Sequence, residues 1–280
     1  MTTKLTVRDY PGFLLKWAIL LFFLIVTLMP FLWLLVSSLK TSFEIETSGF
    51  TLPAVPQFVN YANALSVANL PVLFMNSILV AAFTVLLNLV VAALASFVFA
   101  REKFPGKDFL YVMLTAGVLI PIISFLVPYF ILVNRIGLYN NLLALILVYS
   151  AVNIPVSIFL LTSFMKAIPK ELEEAATIDG CNFIDRFWKV ILPLAQSGLA
   201  TAGTFCFIYA WNEFILAMLF TSSETTRTVQ LGIRFFQSQF LTDYGPMFAA
   251  IMLSILPTVA VYVFMHNKII AGLTSGGVKG

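Results

Sequence analysis

The chain has 280 residues, 60% of them hydrophobic and only 10% charged, with a formal net charge of +3. A soluble domain carries about 25% charged residues. A soluble fold of this size could not hide so much apolar surface, so the composition excludes an ordinary soluble globular protein and points to lipid as the solvent. The basic residues are scattered over short segments rather than gathered on one face, which excludes a nucleic-acid footprint.

A helix needs about 20 mostly apolar residues to cross a bilayer. Six stretches qualify in chain order: Trp17–Leu39, Pro71–Ala100, Phe109–Val133, Leu142–Phe164, Gly198–Phe220 and Met247–Met265. The expectation is an all-α integral membrane protein with six transmembrane helices in a single domain, 1–280, closed by a cytoplasmic tail, 266–280. The first run follows Lys4, Arg8 and Lys16 and leads into Lys40. It exceeds the roughly 7–15 apolar residues of a cleaved signal peptide, so it reads as a retained helix. The second is long enough to tilt. Pro128 and Pro155 are expected to kink the third and fourth.

Lys and Arg favour the cytoplasmic side. With the N-terminus inside, the inner segments hold 12 of the 16 basic residues, and the outer ones hold Lys40, Arg135, Arg227 and Arg234. Both termini are then cytoplasmic. Two outer segments, Lys40–Leu70 and Thr221–Pro246, are long enough either to meet a partner or simply to connect helices.

The sequence contains no G-x-x-x-x-G-K-[ST] phosphate loop, and Gly106-Lys107 lacks both the preceding glycine and the following hydroxyl. No H-E-x-x-H occurs, and Cys181, Cys206 and His266 have no metal-ligand spacing. The expectation is no catalytic residue, no metal and no cofactor on this chain.

The inner loop 166–193 is the most informative segment. Pro169 can open a helix, and Glu171, Glu173 and Glu174 then sit at the positive end of its dipole. Leu172, Ala175 and Ala176 form a small-residue stripe, and Gly180 suits a left-handed turn at the helix end. Asn182 can cap a second short helix with Phe183, Phe187, Val190 and Ile191 on its apolar face, ending at Pro193. This is a helix–turn–helix knob with a small, acidic tip.

The knob resembles the EAA loop of permease subunits in binding-protein-dependent, ATP-driven importers. That pattern is Glu-Ala-Ala, three residues, Gly, nine residues, then Ile-x-Leu-Pro. Glu174, Ala175, Ala176, Gly180, Leu192 and Pro193 match it, and Val190 replaces the isoleucine. Tyr209-Ala-Trp211-Asn212-Glu213-Phe214 and the tail from His266 to Gly280 are similar to the carbohydrate-uptake branch, typified by the second permease of the maltose importer. Phe74-Met-Asn76-Ser77 and the segment Arg101–Lys107 also resemble that branch.

The resemblance implies a type I importer permease fold. It implies partners: a second homologous permease, two ATP-binding subunits that carry ATP and magnesium, and an extracytoplasmic solute-binding protein. The implied cargo is a sugar, with a polyol, glycerol phosphate or another solute as the alternative. It implies that the loop docks on an ATPase through Glu174, Ala175, Ala176, Asp179, Gly180, Leu192 and Pro193. It also implies that Gly272, Leu273, Thr274, Gly276 and Gly277 of the tail reach the ATPase interface. A substrate path is expected among Asn76, Asn153, Tyr209, Trp211, Asn212 and Glu213. Glu213, the only acid placed inside a membrane segment, has three open readings: path residue, structural hydrogen-bond anchor, or solvated group near the outer surface. An ion-gradient carrier with Glu213 as its coupling site is the rival from another class.

Overall fold

The computed structural model describes residues 10–67, 69–236 and 243–277, and every regular element among them is helical. In chain order these are α1 (Tyr10–Ser37), α2 (Ser42–Ser48), α3 (Val59–Val67), α4 (Leu70–Arg101), α5 (Lys107–Thr115), α6 (Leu126–Arg135), α7 (Leu142–Ala167), α8 (Glu171–Ile178), α9 (Phe183–Asp185), α10 (Leu192–Leu194), α11 (Gln196–Asn212), α12 (Ile215–Phe220), α13 (Val229–Gly232) and α14 (Tyr244–Gly277). Among the described residues four helices are long and apolar enough to cross a membrane, or up to six crossings if each of two bent pairs counts as one. The chain divides into two compact units, Met1–Ala68 with Phe235–Leu253 and Asn69–Arg234 with Ser254–Gly280.

In the first unit α1 leaves nearly all its apolar side chains uncovered, as lipid permits. Thr41 and Glu44 form a reciprocal capping box that starts α2. Asn60 then fastens the turn after α1, its Nδ2 donating to the Ser38 carbonyl at 2.9 Å and to that of Lys40 at 2.8 Å. Lys40 is fully buried and donates to the Gly49 carbonyl at 2.9 Å.

In the second unit α4 and α7 pack along a polar seam. Asn88 Nδ2 donates to the Ser150 carbonyl at 3.0 Å, and Ser157 Oγ donates to Asn88 Oδ1 at 2.6 Å. Side-chain amides and hydroxyls join helices in this way where no water can satisfy them. Small residues bring backbones close: a Cβ on Gly198 of α11 would lie 2.7 Å from Phe164 Cγ of α7.

Three stretches depart from the expected helices, the first two for a local reason. The run 109–133 is not one helix but α5, two 3₁₀ turns and α6, bent by 99° between Leu119 and Ile122. Pro121 excludes the helical region for Ile120, whose ψ is 120°. Pro128, expected to make the kink, lies in the first turn of α6, where its missing N–H is harmless. The run 198–220 breaks after Asn212, because the Glu213 carboxylate turns back to cap α12. Finally, the tail expected from 266 is helical to Gly277 as the continuation of α14, and 278–280 lie outside the described residues, as do Lys4 and Arg8.

Candidate functional site

The loop 166–193 folds from local signals. The three acids of the first turn of α8 are Glu171, Glu173 and Glu174, at the positive end of the helix. At the other end Cys181 N–H donates to the Ala176 carbonyl at 2.9 Å and Gly180 N–H to that of Thr177 at 3.1 Å. Gly180 itself has φ +89°, a left-handed conformation that closes the helix and that a side chain would strain. Asn182 Oδ1 then accepts from Asp185 N–H at 2.9 Å and starts α9. Arg186–Ile191 is a π-helical stretch, with Leu192 N–H donating to the Phe187 carbonyl. It runs into Pro193, which has no N–H to continue an α-helical ladder.

The face that α8 presents is specific. Leu172, Glu174, Ala175 and Asp179 are exposed, and Ile178 is 87% exposed. Phe187 and Ile191 are buried against Phe97 of α4, whose ring lies 5.2 Å from that of Phe187. The knob is therefore packed on the C-terminal end of α4 and leaves a small, partly apolar surface open. Leu192 is half-buried and Pro193 lies at the second position of α10.

Not all the acids belong to that open surface. Glu173 points inward, its Oε1 2.6 Å from Arg101 Nε, with side-chain exposures of 7% and 4%. Arg186 approaches the other carboxylate oxygen at 3.9 Å and reaches Glu102 at 3.6 Å. The motif reading misses this cluster, because Arg101 stands at the end of α4, far away in the chain. The signal it leaves is a basic residue in the last turn of that helix.

The six expected path residues fall into two groups. Asn76 Nδ2 donates to the carbonyls of Thr225 and Arg227, both at 2.9 Å, and Asn153 Nδ2 donates to that of Tyr149 at 2.8 Å. Trp211 is buried and its Nε1–H donates to the Ser254 carbonyl at 2.9 Å. Glu213 accepts from the backbone of Leu216 at 2.8 Å and of Ala217 at 3.0 Å, and from Tyr149 Oη–H at 2.6 Å. Tyr209 stands edge-on to Tyr149, with ring centroids 5.8 Å apart. Asn212 alone of the six is exposed, near Gln230. Tyr149, which the motifs do not single out, thus joins Asn153, Tyr209 and Glu213. A cavity of about 500 Å³ opens elsewhere, between α4, α11 and the second half of α14. Its walls include Ile78, Leu89, Thr204 and Val261, and Lys268 stands at its edge. None of the six lines it. Among the described residues no group of His, Cys, Asp and Glu is placed to hold a metal ion.

Residues 89–267 match the family described as "Binding-protein-dependent transport system inner membrane component". The chain belongs to this family. As a permease of this kind it is a multi-pass membrane protein. A Caldicellulosiruptor sp. (strain Rt8B.4) chain described as an ABC transporter permease protein is 41% identical to it over 278 residues, 99% of this chain and 98% of the relative. The trehalose/maltose transport system permease protein of Thermococcus litoralis is 33% identical over 262 residues, 91% of this chain and 93% of the relative. A solved bacterial ABC transporter involved in the import of the acidic polysaccharide alginate has a chain that superposes with a TM-score of 0.84 at 20% identity. It covers 96% of this permease and 100% of that chain, which shows a shared fold.

Proposed function

We propose that this permease carries a sugar across the membrane, driven by ATP that two partner subunits bind with magnesium and hydrolyse. It pairs with a second, homologous permease and receives its cargo from an extracytoplasmic solute-binding protein. The chain crosses the membrane six times, with α5 and α6 together making one crossing and α11 and α12 another, and with both termini in the cytoplasm. The observation that carries the reading is the open face of α8 at the residues of the EAA pattern. A Gly180 turn and a buried apolar underside hold that face rigidly outward. Glu174 offers a partner arginine or lysine a charge to pair with, and the small Ala175 lets another backbone approach. Asp179, Leu192 and Pro193 shape the rest of the dock, and Gly272, Leu273, Thr274, Gly276 and Gly277 extend towards the same ATPases.

A carbohydrate cargo is supported by the trehalose/maltose permease, similar over nearly the whole chain. Asn212 is the residue of the expected path whose position supports contact with cargo. The remaining five act through packing and hydrogen bonds that shape the helices around it. Alternation of access follows from closure of the ATPases on α8. The test joins capture to transport. A cysteine at Ile178 should crosslink to an ATPase subunit, and Glu174→Lys should abolish ATP-driven uptake of labelled maltose or trehalose by the reassembled importer. Failure to capture any ATPase chain, or full uptake by Glu174→Lys, sinks the reading.

A further inference from the structure

The inner ends of α4, α7 and α8 meet in a closed ring of charges. Arg101 is the last residue of α4 and Glu102 follows it. Glu173 of α8 stands between Arg101 and Arg186, and Arg186 stands between Glu173 and Glu102. The guanidinium of Arg101 also donates from Nη2 to the Ile168 carbonyl at 2.9 Å, at the end of α7. One buried side chain therefore holds α7 and α8 to α4 at the same point. The two members at its centre are nearly inaccessible to solvent, at 4% and 7% exposure, so the attraction between them is little screened.

The covalent chain provides no such link to α4. From α8 it leads forward through the Gly180 turn and the π-helical stretch to α11, and backward through Ile168, Pro169 and Lys170 to α7. Apolar packing of Phe97 on Phe183 and Phe187 also touches α4. Such packing resists compression, but it has little directional hold against sliding or pulling. A buried carboxylate–guanidinium pair resists both, because separating it strands a charge. The far part of α4 carries Ile78 and Leu89, which wall the 500 Å³ cavity. Leu89 is about 18 Å from Arg101 along the axis at about 1.5 Å per residue. A helix pulled at Arg101 moves that wall.

We infer that Arg101 and Glu173 are positioning residues for transport: the pair is the strut through which displacement of α8 is passed to α4 and thence to the cavity wall. The inference rests on the docking role proposed above for the open face of α8. Glu174 on that face receives the movement, and Glu173, turned towards Arg101, hands it on.

The test uses the whole importer in proteoliposomes, with spin labels on cysteines at Ile78 and Val261 across the cavity. The label distance is measured without nucleotide and after trapping with Mg·ATP and orthovanadate, so no cargo need be known. The native pair should show a nucleotide-dependent shift. Glu173→Gln should keep the ATPase subunits bound and hydrolysing, yet lose the shift. Glu173→Asp, which keeps the charge facing Arg101 and Arg186, should retain most of it. An undiminished shift in Glu173→Gln overturns the inference, and so does a loss in Glu173→Asp as complete as in Glu173→Gln. Parallel loss of ATPase binding in Glu173→Gln overturns it as well, since the pair would then merely hold the fold. Glu174→Lys separates the two claims. A shift that persists in that variant defeats the docking role itself, whatever Glu173→Gln does.

Discussion

Tyr149 donates its hydroxyl hydrogen to Glu213 at 2.6 Å, and the same carboxylate caps the first turn of α12. Three donors thus converge on one acid at a helix break. A carboxylate accepts all three through two oxygens, whereas an amide offers one acceptor oxygen. Glu213→Gln should lower the melting temperature of the purified permease. Tyr149→Phe should cost about 2 kcal/mol, as expected for a hydrogen bond to a charged group. ATP-driven uptake at neutral pH should survive in Glu213→Gln. Uptake that instead follows an ion gradient and vanishes in this variant would favour the gradient-driven carrier.

Gly180 at φ +89° is held by hydrogen bonds on the last turn of α8. An L-residue in left-handed conformation costs about 1–2 kcal/mol. Gly180→Val should loosen the knob and weaken ATPase capture from Ile178, while Gly106→Ala, also at positive φ but outside the knob, should leave capture unchanged. Crosslinking yield measures both.

Gly198 faces Phe164 so closely that a Cβ would lie 2.8 Å from Phe164 Cδ2 and 2.9 Å from its Cβ, which cannot rotate away. Gly198→Ala should destabilise by about 1–3 kcal/mol through overpacking of α11 on α7. Combining it with Phe164→Ala should give less loss than the sum of the two single changes. Thermal unfolding in detergent reads the cycle.

The Glu44 carboxyl is held below its ordinary value of 4.5, chiefly by the backbone hydrogen bonds from Thr41 and Ala54. A depressed value means the ionised form is favoured by folding. The contribution is therefore present above 4.5 and is lost as the pH falls through the lowered value. Amide exchange in α2 should accelerate on acidification, and Glu44→Gln should flatten that dependence.

Apolar length is legible in a sequence because lipid demands it, so α1, α4, α7 and α14 can be read from composition. Breaks are not, since each depends on one competing group. Pro121 and Pro128 look alike in sequence, and only the first falls where a helix has no end to place it in. Glu213 reads as an intramembrane charge until its partners are seen. The knob is readable because Gly180 and Asn182 are local instructions, whereas Pro169, expected to open α8, falls one residue before its N-cap, Lys170. Glu173 and Glu174 are adjacent and chemically identical, and what separates them is about 100° of helical rotation, which turns one towards Arg101.

The 99° bend between α5 and α6 carries a requirement of its own. Hydrocarbon supplies no hydrogen bonds, so an interrupted backbone at membrane depth persists only beside protein or water. The 3₁₀ turns recover part of the ladder, through Ile120 N–H to Gly117 and Ser124 N–H to Pro121. The remaining polar groups must be satisfied from outside the helix. In the six-crossing arrangement proposed above, acyl chains are therefore kept from this elbow, and whichever neighbour sits there sets a dry or a wet boundary for the machine.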